Sequence, residues 1–243
     1  LKTFRVGFAP DSWDTVTLEV MKLGLSQDVL TRSGLLMPKN EGGYYDRFRN
    51  RIMFPIMDIN GKVQAFGGRI FGEADGAKYM NSPETPIYHK GRTLFGLNIS
   101  RDEIRSSRTA ILVEGYMDLI RLYQEGFQNV VAGTGTAFTS EQAGLVKRFA
   151  DKVLVCYDGD AAGQKAAQKA GLTLLDKGLD VRIIQIPEGE DPDSFFDEKD
   201  AKAFQKLIGT ALDFMTFVLR ANQDQMDSPV KRTAFLEGMV SEL

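Results

Sequence analysis

Three short stretches of the chain concentrate carboxylates: Glu114-Gly115-Tyr116-Met117-Asp118, Asp158-Gly159-Asp160 and Glu188-Gly189-Glu190-Asp191-Pro192-Asp193. Brought together, so many like charges raise one another's pKa, a penalty that a divalent cation removes. Asp-x-Asp offers two carboxylates on one turn to a hard cation, and Gly115 and Gly159 let the backbone bend close to it. Magnesium takes few protein ligands and keeps positions open for substrate phosphates. The chain has one Cys (Cys156) and one His (His89), too few for a four-ligand zinc site of its own. Metal chemistry here is therefore carboxylate chemistry, suited to magnesium, manganese or calcium. Singly the motifs are bland: Asp-Gly-Asp reads as a turn, and Asp191-Pro192-Asp193 as a helix start with Pro in the first turn. Their joint placement after strands points to a site.

A second set of residues is basic. Arg47, Arg49 and Arg51 alternate, which on a strand turns them to one side; Arg69, Lys78, Lys90 and Arg92 follow, with Asn81 among them. Such cations suit nucleic-acid or triphosphate phosphates, and Phe48, Tyr79 and Tyr88 are spaced to stack on bases. A solvated edge strand carries similar charges, and for Arg47–Arg51 alone the two readings weigh equally. Gly133-Thr134-Gly135-Thr136 lacks a Lys and a full Gly-x-Gly-x-x-Gly, so it reads as a tight turn beside the site. Cys156 sits in an apolar run and reads as buried and inert; Trp13 reads as core.

The elements that must position these groups alternate over residues 108–187. Apolar runs at 110–113, 130–132, 153–157 and 181–186 are separated by helical patterns at about 116–125, 140–149 and 161–177, the second opened by a Thr139/Gln142 capping box. This order implies a parallel sheet covered on both faces. Ligands of such sheets bind beyond the carboxyl ends of the strands, where three of the four runs are followed by the carboxylates. Residues 1–97 read as mixed α/β: a strand at 4–8, a helix at 13–23 capped by Asp11 or Ser12, and two strands (52–59 and 62–71) joined at Asn60-Gly61, with loop over 72–98. Residues 192–243 show no strand signal; Phe204 to Leu219 fit amphipathic helices.

The chain has 243 residues, 43% hydrophobic and 26% charged, ordinary for a globular protein. That excludes general disorder, collagen and a disulfide framework, and no apolar stretch is long enough for a membrane span. The opening LKTFRVGF is no signal peptide, so a cytoplasmic location is expected; without an initiator Met it points to a fragment or a processed chain. The net charge of −3 divides unevenly: residues 1–108 hold 16 Lys and Arg against 12 Asp and Glu, residues 109–243 hold 14 against 21. A basic half joined to an acidic half suits a polyanionic partner.

LVEGYMD, a Gly-Thr turn, CYDGDAAG and EGEDPDSF, in this order and spacing, resemble the TOPRIM domain of topoisomerases, primases and related nucleases. RFRNRIMFPI (47–56), FGGR (66–69), KYMNSPET (78–85) and HKGRTLFGL (89–97) resemble, more specifically, the catalytic RNA polymerase core of bacterial DnaG-type DNA primases. The likeness runs from about residue 4 to beyond 200. It implies a basic N-terminal α/β subdomain over 1–107, trimmed at its start, a Rossmann-like TOPRIM sheet over 108–190 and a truncated helical segment over 191–243. It implies a nucleotidyltransferase of the DNA-directed RNA polymerase kind, making short RNA primers on single-stranded DNA from ribonucleoside triphosphates during replication.

On that resemblance Asp158 and Asp160 would hold magnesium or manganese, with Glu114 as ligand or proton acceptor. Asp118, Asp191 and Asp193 would complete a site of two ions, about 4 Å apart in such centres. Arg47, Arg49, Arg69, Lys78, Asn81 and Lys90 would hold template or triphosphate; metal-assisted nucleotidyl transfer needs no His89 base, and the resemblance points to its neighbour Lys90 instead. Guanosine tetraphosphate would bind the same cations and ions and compete with the incoming nucleotide. The family's zinc module is not in this chain, nor is the C-terminal domain that meets the replicative helicase. The rivals are a TOPRIM strand-cleaving enzyme, which needs a nucleophilic Tyr nothing here marks; a haloacid dehalogenase-type phosphatase, whose nucleophilic Asp would stand where this chain has Glu114; and a single-strand-binding module with structural metal.

Overall fold

The computed structural model describes residues 2–72, 76–223 and 228–241. The chain divides into two compact units, Leu1–Thr93 and Leu94–Leu243.

The first unit is built on an antiparallel sheet of β1 (Gly7–Ala9), β4 (Arg51–Met57), β5 (Val63–Ile70) and β6 (Tyr79–Asn81), in that order. The β4–β5 hairpin forms as its Asn-Gly signal predicts, but the strand stops at Met57. Asp58 Oδ1 accepts from the N–H groups of Asn60 and Lys62 at 2.9 and 2.8 Å, and Gly61 takes the left-handed conformation (φ 81°) that closes the turn. β1 starts at Gly7 rather than residue 4, because Arg5 turns the chain with φ 51°. The expected loop over 72–98 holds β6, which pairs with β5, a 3-10 turn at Lys90–Arg92 and the start of the next helix. Helices α1 (Thr15–Lys22) and α2 (Gln27–Arg32) and the short hairpin β2 (Leu36–Pro38)–β3 (Tyr44–Asp46) complete the unit. The N-cap of α1 is Asp14, not Asp11 or Ser12.

The second unit opens with α3 (Leu97–Ser107) and alternates as its sequence pattern predicts: β7 (Thr109–Val113), α4 (Tyr116–Gln124), β8 (Val130–Ala132), α5 (Ser140–Lys147), β9 (Lys152–Val155), α6 (Ala161–Asp176) and β10 (Asp180–Ile183). Apart from the first residues of β7 and β9 and Asp180 and Arg182 of β10, every residue of the four strands is buried, the mark of a sheet covered on both faces. Strands β8, β7, β9 and β10 lie side by side and parallel. Phe95 exchanges two backbone hydrogen bonds with Ala132 (2.9 and 3.1 Å) and so covers the outer edge of β8. The sheet has a fifth strand where none was expected: β11 (Leu212–Asp213) pairs antiparallel with β10, too short to leave a period-2 pattern. Around it lie α7 (Pro192–Glu198), α8 (Ala201–Gly209), α9 (Phe214–Ala221) and α10 (Pro229–Ser241). Phe195, Phe196 and Phe204 form a buried aromatic cluster with Phe127, their ring centroids 4.7 to 6.3 Å apart.

Candidate metal centre and nucleic-acid surface

The carboxylates of the second unit gather where the parallel strands end. Glu114 directly follows β7, and the chain turns into α4 through Gly115, whose N–H donates to Asp118 Oδ2 at 2.9 Å. Asp158 and Asp160 follow β9. Asp160 is the N-cap of α6, its Oδ1 accepting from the Gly163 N–H at 2.7 Å. Asp191 caps α7 in the same way, accepting from the Ser194 N–H at 2.6 Å, with Pro192 in the first turn and Asp193 beside it. Gly159 ties the last two segments together: its N–H donates to the Glu190 carbonyl at 3.0 Å. A Cβ at that position would lie 2.2 Å from the Pro187 carbonyl oxygen, so only glycine lets the loop after β10 press against the Asp158–Asp160 turn.

The electrostatics follow from this crowding. Burial pushes the Glu114 carboxyl up to about 7, helped by the charges of Asp158 and Asp160 and opposed by the Asp158 N–H. Burial likewise drives Asp118 up to about 7; the Gly115 N–H opposes the rise, and Asp158, Asp191 and Asp193 add to it. Asp158 belongs to both sets of interacting charges, one around Glu114 and one around Asp118. Among the described residues no three Asp, Glu, His or Cys side chains are gathered tightly enough to hold an ion. The donor set is nevertheless all oxygen. Asp118, Asp160 and Asp191 each spend one carboxylate oxygen on a helix-start N–H, which leaves the other for a cation. A hard divalent ion fits these residues. Glu190 is committed elsewhere, to an ion pair with Lys199 at 2.7 Å.

The Gly133–Thr136 turn follows β8 and lines a recess that also includes Glu114. Within the turn Thr134 is buried and Gly135 takes the left-handed conformation (φ 81°). Cys156 is fully buried, its thiol pushed well up by that burial.

In the first unit the three alternating arginines do not share a strand face. Asn50 takes φ 48° and breaks the chain direction before β4, so only Arg51 is in a strand. Arg51 is buried and structural, donating to the carbonyls of Gly68 (3.2 Å) and Ala77 (3.0 Å). Arg47 is half-buried, 3.0 Å from the Met37 sulfur, and its buried Nε has no hydrogen-bond partner among the described residues. Arg49 donates to the Asp46 carbonyl and lays its guanidinium over the Trp13 ring, 3.9 Å from the centroid, with Tyr45 at 5.5 Å. Trp13 is thus not core: it is 60% exposed. Its carbonyl accepts from the Asp46 N–H at 2.8 Å. The buried Asp46 carboxylate in turn takes the N–H groups of Val16 and Thr17 and the Thr17 hydroxyl, each at 2.7 Å.

Arg69 and Tyr79 are cross-strand partners on β5 and β6, the guanidinium 5.8 Å from the ring centroid. Asn81 lies two residues on, on the same face, and exposed Lys78 immediately precedes β6. Lys90 sits in the 3-10 turn, held by its N–H to Glu84 Oε1 (2.8 Å), while the other Glu84 oxygen pairs with His89 at 2.9 Å. Of the three aromatic residues expected to meet bases, Phe48 and Tyr88 are buried in the core and only Tyr79 is accessible. Sequence reasoning missed the Trp13–Arg49 stack and its Asp46 support. A lone Trp at the start of an amphipathic helix carries the same local pattern as a core residue, and the Asp46 contacts span about thirty residues.

Residues 1–101 match the family model "DNA primase catalytic core, N-terminal domain", and residues 111–196 match "Toprim-like". A DNA primase of Listeria innocua is 45% identical over 208 residues, 85% of this chain and 33% of the relative. The chain therefore spans about a third of the length of that curated relative. The Escherichia coli primase catalytic core superposes with a TM-score of 0.88 at 36% identity, covering 100% of this chain and 80% of that one. A DnaG primase catalytic domain bound to single-stranded DNA superposes with a TM-score of 0.87, also at 36% identity, with 100% and 80% covered.

Proposed function

Because the chain belongs to the catalytic-core family of bacterial DnaG-type DNA primases, we propose that it joins ribonucleoside triphosphates into a short RNA primer on a single-stranded DNA template. The observation that carries this reading is the gathering of Glu114, Asp118, Asp158, Asp160, Asp191 and Asp193 at one sheet edge, where two carboxyls are pushed up to about 7. In the reaction the 3′ oxygen of one nucleotide bonds to the α-phosphorus of the next. The bond from that phosphorus to its bridging oxygen breaks, pyrophosphate leaves, and the hydroxyl proton is released.

Asp158 and Asp160, with Glu114, would supply ligands to magnesium or manganese, and Asp118, Asp191 and Asp193 would complete a two-ion site. Bound there, the ions supply positive charge that favours the deprotonated 3′ oxygen and the leaving pyrophosphate. Glu114 ligates an ion or accepts the hydroxyl proton. Asp118, Asp160 and Asp191, anchored through helix-start N–H groups, keep their carboxylates at the strand ends.

In the first unit, Trp13 with Arg49 offers a stacking platform for a base, and half-buried Arg47 adds a cation for phosphate. Arg69, Lys78, Asn81 and Lys90 serve template or triphosphate. A solved relative described as bound to single-stranded DNA supports a single-stranded template as partner. Guanosine tetraphosphate, with two diphosphates, would compete for cations that recognise a triphosphate.

The test is incubation of the protein with single-stranded DNA, the four ribonucleoside triphosphates and magnesium or manganese. Short RNA is the expected product. Nicked DNA would indicate strand cleavage, and no product would leave a binding module.

A further inference from the structure

Lys165 and Lys169 stand one turn apart on α6, and both line a recess of about 550 Å3 that also takes in Glu114, Thr136, Phe138 and Tyr157. Both lysines are exposed, and neither side chain has an ion-pair or hydrogen-bond partner among the described residues. Lys199, Lys177 and Lys147 of the same unit are by contrast engaged, with Glu190, Asp176 and the Gly178 carbonyl. At a rise of 1.5 Å per residue from the Asp160 cap, Lys165 stands about 7.5 Å and Lys169 about 13.5 Å along the helix. The recess therefore leads from the carboxylate edge to two unneutralised cations that recede from it in steps of one helical turn.

We propose that this recess carries the phosphodiester backbone of the nucleic-acid strand as it leaves the carboxylate centre. The lysines neutralise successive phosphates, and the partly exposed Phe138 flanks the sugars. The two lysines stand about 6 Å apart along the helix, so a continuing strand that meets one meets the other. The carboxylates repel any polyanion that passes them, so a cationic wall beside them is what a strand there requires. The proposal rests on the primer-synthesis reading of the same site.

The test is the double variant Lys165→Ala/Lys169→Ala, with its melting temperature checked against wild type. Anisotropy titrations use a labelled DNA template carrying a short RNA primer, at several salt concentrations. We expect about tenfold weaker binding and a salt slope reduced by roughly 1.5, two phosphate contacts at about 0.7 to 0.9 each. Calorimetry with GTP and manganese should give unchanged nucleotide affinity. Unchanged hybrid affinity and slope would overturn the proposal. So would a loss confined to GTP, which would assign the lysines to the triphosphate tail. A wild-type protein that makes no primer would refute the primer-synthesis reading, while hybrid binding still reports on the lysines.

Discussion

Glu114→Gln should make the protein more stable in alkaline buffer while abolishing its chemistry. The Glu114 carboxyl rises from an ordinary 4.5 to about 7 in the folded chain, so folding favours its neutral form. Between pH 4.5 and about 7 the folded state then binds more protons than the unfolded state, and stability falls as pH rises through that window. Above about 7 the penalty is complete; below 4.5 it vanishes. At about 1.36 kcal/mol per pH unit the ceiling is ~3 kcal/mol. Because Glu114 keeps solvent access, we discount this to about 1–2 kcal/mol. Glutamine keeps the size and removes the charge, so the variant should melt roughly 3–6 °C above wild type at pH 8 and level with it near pH 4.5. Magnesium should raise the wild-type melting temperature at pH 8 more than the variant's, since only the wild type binds the ion with a full ligand set. Thermal melts at the two pH values, with and without magnesium, read all of this. An equal gain at both pH values, or none at pH 8, would refute the electrostatic reasoning.

Trp13 is the only tryptophan and is stacked under Arg49, so its fluorescence should change on titration with single-stranded DNA, and Arg49→Ala should weaken that binding several-fold. An unresponsive Trp13 would remove the stacking platform. Asp46→Asn puts an NH2 donor in place of one of the two oxygens that together accept three hydrogen bonds from Val16 and Thr17; it should cost about 1–3 kcal/mol in denaturant unfolding and weaken the same fluorescence response. Gly159→Ala sets a Cβ against the Pro187 carbonyl and should cost about 3 kcal/mol or more; a melting temperature like wild type would show that the loop after β10 yields.

The parallel sheet was legible because its strands are buried on both faces, which leaves uninterrupted apolar runs such as Ala110–Val113 and Val153–Val155, each ending in a carboxylate or a turn that leads to one. Local chemistry sufficed there: Thr139/Gln142 caps α5 and Asp191-Pro192 opens α7 as their spacing implies. Non-local and single-residue effects were not legible. One positive φ at Asn50 separates Arg51 from Arg47 and Arg49. The exposure of Trp13 depends on Asp46, about thirty residues away. The burial of Phe48 and Tyr88 depends on packing that their aromatic spacing does not encode. Strand β11 exists because two residues meet an open sheet edge, not because of any pattern of their own.

The central claim is that the carboxylates at the strand ends carry out nucleotidyl transfer. Its most direct test measures RNA primer formation on single-stranded DNA with magnesium by Glu114→Gln, Asp158→Asn and Asp160→Asn, each checked for folding by circular dichroism. The account predicts folded proteins in which primer synthesis falls by about a hundredfold or more, a barrier increase of ~2.7 kcal/mol. Wild-type synthesis in all three variants would contradict it.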